Sequence, residues 1–381
     1  CVHWDKEEEV KQALDLLQQW VTMDTEDALE LLGPAYHHPK VRSYAVSRLR
    51  QASDEDLLLY LLQLVQALRY ERYDLINAFV VDTAGEEQNR LMNCSETSDL
   101  YNKLEEDFNK AYCLFVNKTF GNGIFAIGET IIDIRQLVKI QALNGSSENY
   151  ANVVVPSDSI SSDQTKSYIP EIDLSTFLIQ RACEKPIIAN YLFWYAYVEC
   201  ENNSSLKDKA ISDMYQSFVE RLSVTLKTKN EQTQQVRISI EAQKKFVDKL
   251  VELTNIVKRV QGSAKVKEDK LRSLLLAGDD SPVKFNFLNF DPIPLPLDPE
   301  IKIRRIIPEK IRIFKSAKLP FLFVCETTQG EEYPIIFKYG DDLRQDQLIL
   351  QIITLMDRIL RKENIDLKLT PYKVLSTSLK Y

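Results

Sequence analysis

FKYGDDLRQDQ, from Phe337 to Gln347, is the stretch that decides the fold of this chain. The run Tyr333 to Phe337 is aromatic and β-branched, which predicts a strand with Lys338 at its end. From Arg344 onward the apolar residues recur at helical spacing, which predicts an amphipathic helix. A lysine on a rigid strand end, followed by a short turn and a helix, suits the binding of a phosphate group.

The predicted helix carries polar residues where a phosphate site needs them. Asp341 or Asp342 is the predicted N-cap. Asp346 then lies in the first or second turn, where its carboxylate can face Lys338, and a Lys–acid pair of this kind positions the ammonium in protein kinases. A lone pair is more often a surface ion pair, so the prediction depends on the full string. The apolar face comprises Leu348, Ile352, Leu355 and Ile359, and the residues largely off it are Gln347, Gln351, Asp357 and Arg358.

The string G-D-D-L-R-Q-D after a strand ending in Phe-Lys resembles the N-lobe signature of phosphatidylinositol 3-kinases. In similar 4-kinases Glu usually replaces the residue at Asp346, and the large PI3K-like protein kinases usually replace the first aspartate. The continuation from Gln347 to Ser378 most resembles the class III members. The resemblance implies a lipid kinase that transfers the γ-phosphate of ATP to the 3-hydroxyl of phosphatidylinositol, for endosomal sorting and autophagy.

The same resemblance implies which residues meet the nucleotide. The S-A-K-L-P loop between two predicted strands is similar to the family's phosphate loop, where Ser316 offers hydrogen-bond donors and Lys318 offers a charge to the outer phosphates. Tyr372 lies in a run, Leu367 to Leu375, that reads as a strand, and it matches the tyrosine that lines the inner pocket beside the counterpart of Asp346. The candidate ATP-binding residues are Ser316, Lys318, Lys338, Asp346 and Tyr372.

The resemblance also implies ATP with Mg²⁺ or Mn²⁺, but the metal ligands are not expected in this chain. The family's catalytic loop contains Asp-Arg-His and its metal site contains Asp-Phe-Gly, and neither string occurs here. No histidine lies beyond His38. We therefore expect no catalytic or metal-binding residue in the chain as written, and no phosphate transfer by it alone, whereas the intact protein is expected to be active.

Helical patterns dominate the chain ahead of this part, from Lys6 to about Arg69 and again from Leu174. Short antiparallel helices joined by tight turns are typical of an α-solenoid of the HEAT or armadillo sort, and the resembling family has a helical accessory (PIK) domain at this place. The predicted fold class is multidomain, α plus (α+β). Its parts are a helical domain over 1–229 with a poorly ordered insert at about 77–170, helices and a proline-rich linker over 230–306, and a truncated kinase N-lobe with an antiparallel sheet and one main helix over 307–381.

Composition restricts the compartment and the partners. A net charge of −8 argues against nucleic acid as a partner. The six cysteines have no CxxC spacing, so we expect reduced thiols and no zinc site. No apolar run approaches the length of a membrane span, which predicts peripheral contact with membranes. The resemblance implies phosphatidylinositol membranes, a regulatory kinase-like subunit and a Beclin-type autophagy subunit as partners, on endosomes and autophagosomes.

Basic residues recur on the helices before the linker: Lys244, Lys245, Lys249, Lys258, Arg259, Lys265, Lys267, Lys270 and Arg272. They suit an acidic membrane surface or partner, but we favour a solvated helix face. Two other functions stay open from the sequence. One is a phosphatidylinositol 4-kinase, and the other is a non-catalytic helical scaffold with a degenerate kinase lobe.

Overall fold

The computed structural model describes residues 6–71 without 18, 21, 22 and 37, and residues 172–379 without 202–205. The predicted insert at 77–170 lies outside the described residues. The helices ahead of the sheet are α1 (Glu7–Leu17), α2 (Thr25–Glu30), α3 (Pro39–Leu49), α4 (Asp54–Ala67), α5 (Leu174–Glu184), α6 (Pro186–Glu199), α7 (Leu206–Thr228), α8 (Glu231–Arg259) and α9 (Ala264–Leu276). Among these described residues, no helix is both long and apolar enough to cross a membrane.

Helices α1 to α7 form a helical layer around one apolar core. In α4 the side chains of Leu57, Leu61 and Leu64 are fully buried, and α4 packs against α6. Burying each such leucine contributes about 1.5–3 kcal/mol. Glu71, just after α4, accepts hydrogen bonds from the backbone N–H groups of Leu174 and Ser175 at the start of α5. This carboxylate joins parts of the layer that are about a hundred residues apart in sequence.

An antiparallel five-stranded sheet follows the helices. Its strands are β1 (Ile293–Leu295), β2 (Asp298–Ile306), β3 (Arg312–Ile313), β4 (Phe321–Thr327) and β5 (Glu332–Phe337). The strand order is β1-β2-β4-β3, and β5 pairs with β4. Phe321, Phe323 and Cys325 of β4 are fully buried in a second core that includes residues of α8 and α9. The two helices therefore cover one face of the sheet.

The proline-rich segment predicted as a linker is already part of this sheet. Its residues form the β1–β2 hairpin, so the sheet begins at Ile293 and not near Ile307. Pro294 lies in β1, at the end of the strand order. Proline is tolerated there because an edge strand does not need every backbone N–H for pairing.

The last helix of the described chain is α10 (Arg344–Lys362). The prediction of a helical region followed by an antiparallel sheet and one main helix is confirmed. The predicted strand at Leu367–Leu375 is wrong, because none of the described strands pairs with this segment. Lys368 has a φ of 57°, outside the extended region, and Leu367 is exposed. A run rich in β-formers stays irregular without a neighbouring strand to satisfy its backbone.

Candidate nucleotide-binding site

Lys338 follows the last residue of β5, at the open edge of the sheet. Tyr333, Ile335 and Phe337 of this strand pack against the second core, while Ile336 is exposed. The alternation holds the strand in register and brings Lys338 to the sheet's end as predicted. Its ammonium Nζ lies 3.9 Å from a carboxylate oxygen of Asp341. Lys338 therefore pairs with Asp341 in the structure, whereas the sequence pattern predicted Asp346 as its partner.

The turn between β5 and α10 depends on Gly340 and Asp342. Gly340 has a φ of +84°, a backbone conformation that favours glycine. Asp342 accepts a hydrogen bond from the Arg344 N–H at 3.1 Å, and the N-cap position itself falls on Leu343. Neither predicted N-cap therefore holds that position, although Asp342 still satisfies one free N–H of the first turn. Burial raises the pKa of Asp342, but the hydrogen bonds from Arg344 outweigh it and hold the pKa below its ordinary value.

A cavity of about 670 Å³ lies beside β5 and the start of α10. Lys338, Asp346 and Tyr372 all line it, so the structure brings together three of the five residues singled out from the sequence. The remaining lining residues are mostly apolar and come from β5, α8, the β1–β2 hairpin and the segment after α10. They include Phe246, Val247, Leu250, Leu297, Ile336, Val374 and Leu375. A volume in this range, with apolar walls and few polar groups, is typical of small-ligand sites.

Tyr372 reaches the cavity from an irregular segment that is fixed at its far end. Its side chain is 67% exposed. Leu375, three residues on, is buried with Trp194 and Val247. The N–H of Ser376 donates to the side-chain oxygen of Gln347 at 2.7 Å. The segment is therefore held against α6, α8 and α10, with the tyrosine ring free on one side to stack on a planar group.

Ser316 and Lys318 lie on the β3–β4 loop, outside the residues that line the cavity. Both are exposed. Lys318 Nζ donates to the backbone oxygen of Gly340 at 2.6 Å. The loop therefore contacts the turn that follows Lys338, and its lysine belongs to the same end of the sheet.

Lys258 of α8 joins these two segments, whereas the sequence indicated it only as one of several basic residues on the long helices. Its ammonium donates to the backbone oxygen of Lys318 at 2.9 Å and to that of Tyr339 at 2.6 Å. It also lies 5.1 Å from the centre of the Tyr339 ring. Burial and the nearby charge of Lys318 lower the pKa of Lys258. The prediction of a solvated basic face is wrong at this residue, and no local pattern distinguishes it from its neighbours on α8.

The arrangement brings positive charge and apolar surface to one end of the sheet. Lys318 and Lys338 place two ammonium groups at the same end of the sheet, where they can neutralise phosphate. The cavity offers apolar walls and an aromatic ring for a base. Among the described residues, no group of three His, Cys, Asp or Glu side chains is placed to hold a metal ion.

Comparison with known protein families matches both parts of the chain. The family described as "Phosphoinositide 3-kinase family, accessory domain (PIK domain)" matches residues 1–233. The family described as "Phosphatidylinositol 3- and 4-kinase" matches residues 332–381, which include Lys338, Asp346 and Tyr372.

Curated relatives match along almost the whole chain. Phosphatidylinositol 3-kinase pik3 of Schizosaccharomyces pombe is 36% identical over 99% of the chain, which covers 34% of that protein. Phosphatidylinositol 3-kinase catalytic subunit type 3 of Caenorhabditis elegans is 34% identical over 99% of the chain, which covers 37% of that protein. Phosphatidylinositol 3-kinase VPS34 of Saccharomyces cerevisiae is 35% identical over 98% of the chain, which covers 36% of that protein. The chain thus spans about a third of the length of these relatives.

The helical layer matches the accessory domain over more than half of the chain, and the sheet end with Lys338 and α10 falls at the start of the kinase match. The chain therefore belongs to the phosphoinositide 3-kinase family, as a homologue of its class III members in which the PIK accessory domain precedes the start of the kinase domain.

Proposed function

We propose that the full-length protein containing this chain is a lipid kinase that transfers the γ-phosphoryl group of ATP to the 3-hydroxyl of phosphatidylinositol. The observation that carries the proposal is the convergence of Lys338, Asp346 and Tyr372 on one cavity, with Lys318 at the adjoining turn. The names of the relatives, all phosphatidylinositol 3-kinases, support the 3-hydroxyl as acceptor.

Each residue has a proposed role at the bound nucleotide. Lys338, whose ammonium lies 3.9 Å from Asp341, meets a phosphate as a fixed point charge, and Asp346 supplies a second carboxylate on the wall of the same cavity. Ser316 and Lys318 offer donors to the outer phosphates. Tyr372 lines the wall against which the base rests. Together these residues position ATP for in-line transfer and stabilise its charge, which is how phosphoryl transfer is mainly catalysed.

The remaining parts of the reaction are assigned outside this chain. Mg²⁺ or Mn²⁺ bound with ATP neutralises developing charge on the phosphates. Its protein ligands and the catalytic base are proposed to lie in the portion of the relatives' length that this chain does not match. We also propose the domain division 1–229, 230–306 and 307–381, with the sheet extended back to Ile293.

The cellular setting follows from the same family. We propose peripheral binding to phosphatidylinositol-containing membranes of endosomes and autophagosomes, in a complex with a regulatory kinase-like subunit and a Beclin-type subunit. The relatives' class supports a complex of this kind in general terms. Endosomal sorting and autophagy are the processes that the product, phosphatidylinositol 3-phosphate, is proposed to serve.

The test is transfer of labelled phosphate from ATP to phosphatidylinositol by the full-length protein, with the ring position of the product identified. We expect a 3-phosphate product that is lost in the Lys338→Ala variant. The Lys302→Ala variant, which removes an exposed lysine from β2 of the same sheet, serves as the control and is expected to remain active. A 4-phosphate product would identify a 4-kinase. No product, in an assay where a known kinase works, would favour the helical scaffold with a degenerate kinase lobe.

A further inference from the structure

Helix α10 carries a stripe of polar residues that faces into the protein. We define the polar stripe as Arg344, Gln347, Gln351 and Arg358. At 3.6 residues per turn these positions lie within about 60° of one another around the helix axis. Gln347 is only 5% exposed and is the one residue of α10 that is buried. The apolar face of an amphipathic helix normally turns to the core, so this orientation needs a specific explanation.

The first turn of the stripe is held by a shared carboxylate of the helical layer. Arg344 Nη1 lies 3.4 Å from a carboxylate oxygen of Glu199, the last residue of α6. The Glu199 side chain is 11% exposed, and its other oxygen lies 3.4 Å from Arg69. Arg344 also pairs with Asp342 at 2.8 Å. One guanidinium thus connects α6 to the turn that follows Lys338.

The stripe continues its contacts along α4. The Gln351 side-chain amide donates to the backbone oxygen of Leu59 and to the Gln63 side chain at 3.1 Å. Further along, Arg358 pairs with Asp56 at 2.6 Å. Gln347, between Arg344 and Gln351 on the stripe, accepts from the N–H of Ser376 in the segment that carries Tyr372. All four stripe residues therefore make directed polar contacts, and three of them reach the helical layer.

This docking fixes where Asp346 points. Asp346 is two residues after Arg344, and two helical residues turn the side chain by about 200°. While Arg344 faces Glu199, Asp346 therefore faces away from the helical layer and lines the cavity beside Lys338. A rotation or shift of α10 on the layer necessarily moves Asp346 relative to the cavity.

We propose that Arg344 and Glu199 are positioning residues through which the helical layer sets the affinity of the kinase site for ATP. The inference rests on the proposed function, because it concerns the same cavity. Domain interfaces built from polar contacts are more readily loosened than apolar ones. The polar stripe therefore gives the accessory domain a physical route for tuning nucleotide binding, without any contact between Glu199 and the nucleotide.

The test compares variants of the full-length protein for the KM for ATP, for kcat, and for binding of a fluorescent ATP analogue. We expect Arg344→Ala and Glu199→Gln to raise the KM and the dissociation constant about 5- to 30-fold, which lies in the lower part of the range of about 5- to 150-fold for coupling between sites. Values of kcat are expected to stay within about twofold, because the reacting groups are untouched. Arg344→Lys restores the charge and is expected to recover part of the affinity.

Two further variants keep the test decisive. Arg358→Ala weakens the partly exposed end of the stripe and replaces Glu199→Gln if that protein does not fold. The control is Arg361→Ala, because the Arg361 guanidinium pairs with Asp357 and Asp366 of its own segment. This variant should leave the ATP affinity unchanged. Hydrogen exchange of α10 without nucleotide should accelerate in the stripe variants alone.

The outcomes separate the two proposals. If the wild-type protein binds no ATP analogue, the proposed function fails, and the inference fails with it. If the wild-type protein binds ATP and the stripe variants loosen α10 without changing the affinity, the inference is overturned while the proposed function stands. The inference would also be overturned if the control variant Arg361→Ala lost kcat and ATP affinity as much as the stripe variants do.

Discussion

Replacing Lys258 with methionine should loosen the β3–β4 loop selectively. The variant keeps most of the side-chain length but removes an ammonium that donates to the backbone oxygens of Lys318 and Tyr339. It also removes the cation–π contact with the Tyr339 ring. The β3–β4 loop then loses one of the groups that tie it to the turn after Lys338, while the hydrogen bond from Lys318 to Gly340 remains.

The size of the effect follows from these contacts. A hydrogen bond from a charged donor contributes about 1.5–3 kcal/mol, and an exposed cation–π contact about 0.5–1 kcal/mol. Part of this sum is offset, because burial and repulsion from the Lys318 ammonium both disfavour the charge on Lys258, as its lowered pKa indicates. We therefore expect a net loss of about 2 kcal/mol in local stability. Since about 1.4 kcal/mol is a factor of ten, the loop should open roughly 30-fold more often.

Hydrogen exchange measured by mass spectrometry reports this opening. The N–H groups of Phe314, Ser316 and Leu319 are hydrogen-bonded within the loop, at 2.9, 3.0 and 3.0 Å. Their exchange should accelerate roughly 30-fold in Lys258→Met. Lys249→Met is the matched control, because Lys249 lies on the same helix and, within the part of the chain that the structure describes, its ion pair is with Glu252, three residues on. An acceleration below about threefold in the loop, or one spread evenly over the chain, would refute the reasoning.

Two predictions concern stability. Gln243 is buried, accepts from Trp194 Nε1 at 3.0 Å and donates to Asn190 at 2.7 Å. Gln243→Leu leaves both partners unsatisfied, so urea unfolding should reveal a loss of about 3 kcal/mol, and an unchanged midpoint would contradict this account. The hydrogen bond from Lys185 lowers the pKa of Asp54 below its ordinary 3.8. A carboxyl group whose pKa is lowered on folding stabilises the fold at pH values above its unfolded-state pKa. This stabilisation is lost as the pH falls through the folded-state pKa. Asp54→Asn should therefore unfold more easily than the wild type at pH 7 and converge with it in strong acid; a constant difference across this range would rule out titration of Asp54 as the cause.

Local sequence alone determined the order of elements and the position of the central lysine. The aromatic and β-branched residues over Tyr333–Phe337 and the helical period after Arg344 are properties of neighbouring residues, so they predict β5 and α10 without knowledge of their partners. The lysine at the strand end follows directly from that order. The helical patterns from Lys6 to about Arg69 and from Leu174 likewise predicted helices, and the match to the accessory domain agrees with this prediction.

Only the tertiary structure decided which face of α10 is buried and which groups meet at the site. Periodicity shows that a helix has two faces, but not which of them a distant element will cover. Here α4 and α6 offer Asp56, Gln63 and Glu199, and the polar stripe docks on them. Lys258 reaches its two carbonyl partners across 60 and 81 residues of sequence. Contacts between residues so far apart depend on how the helices and the sheet pack, which local propensity does not encode.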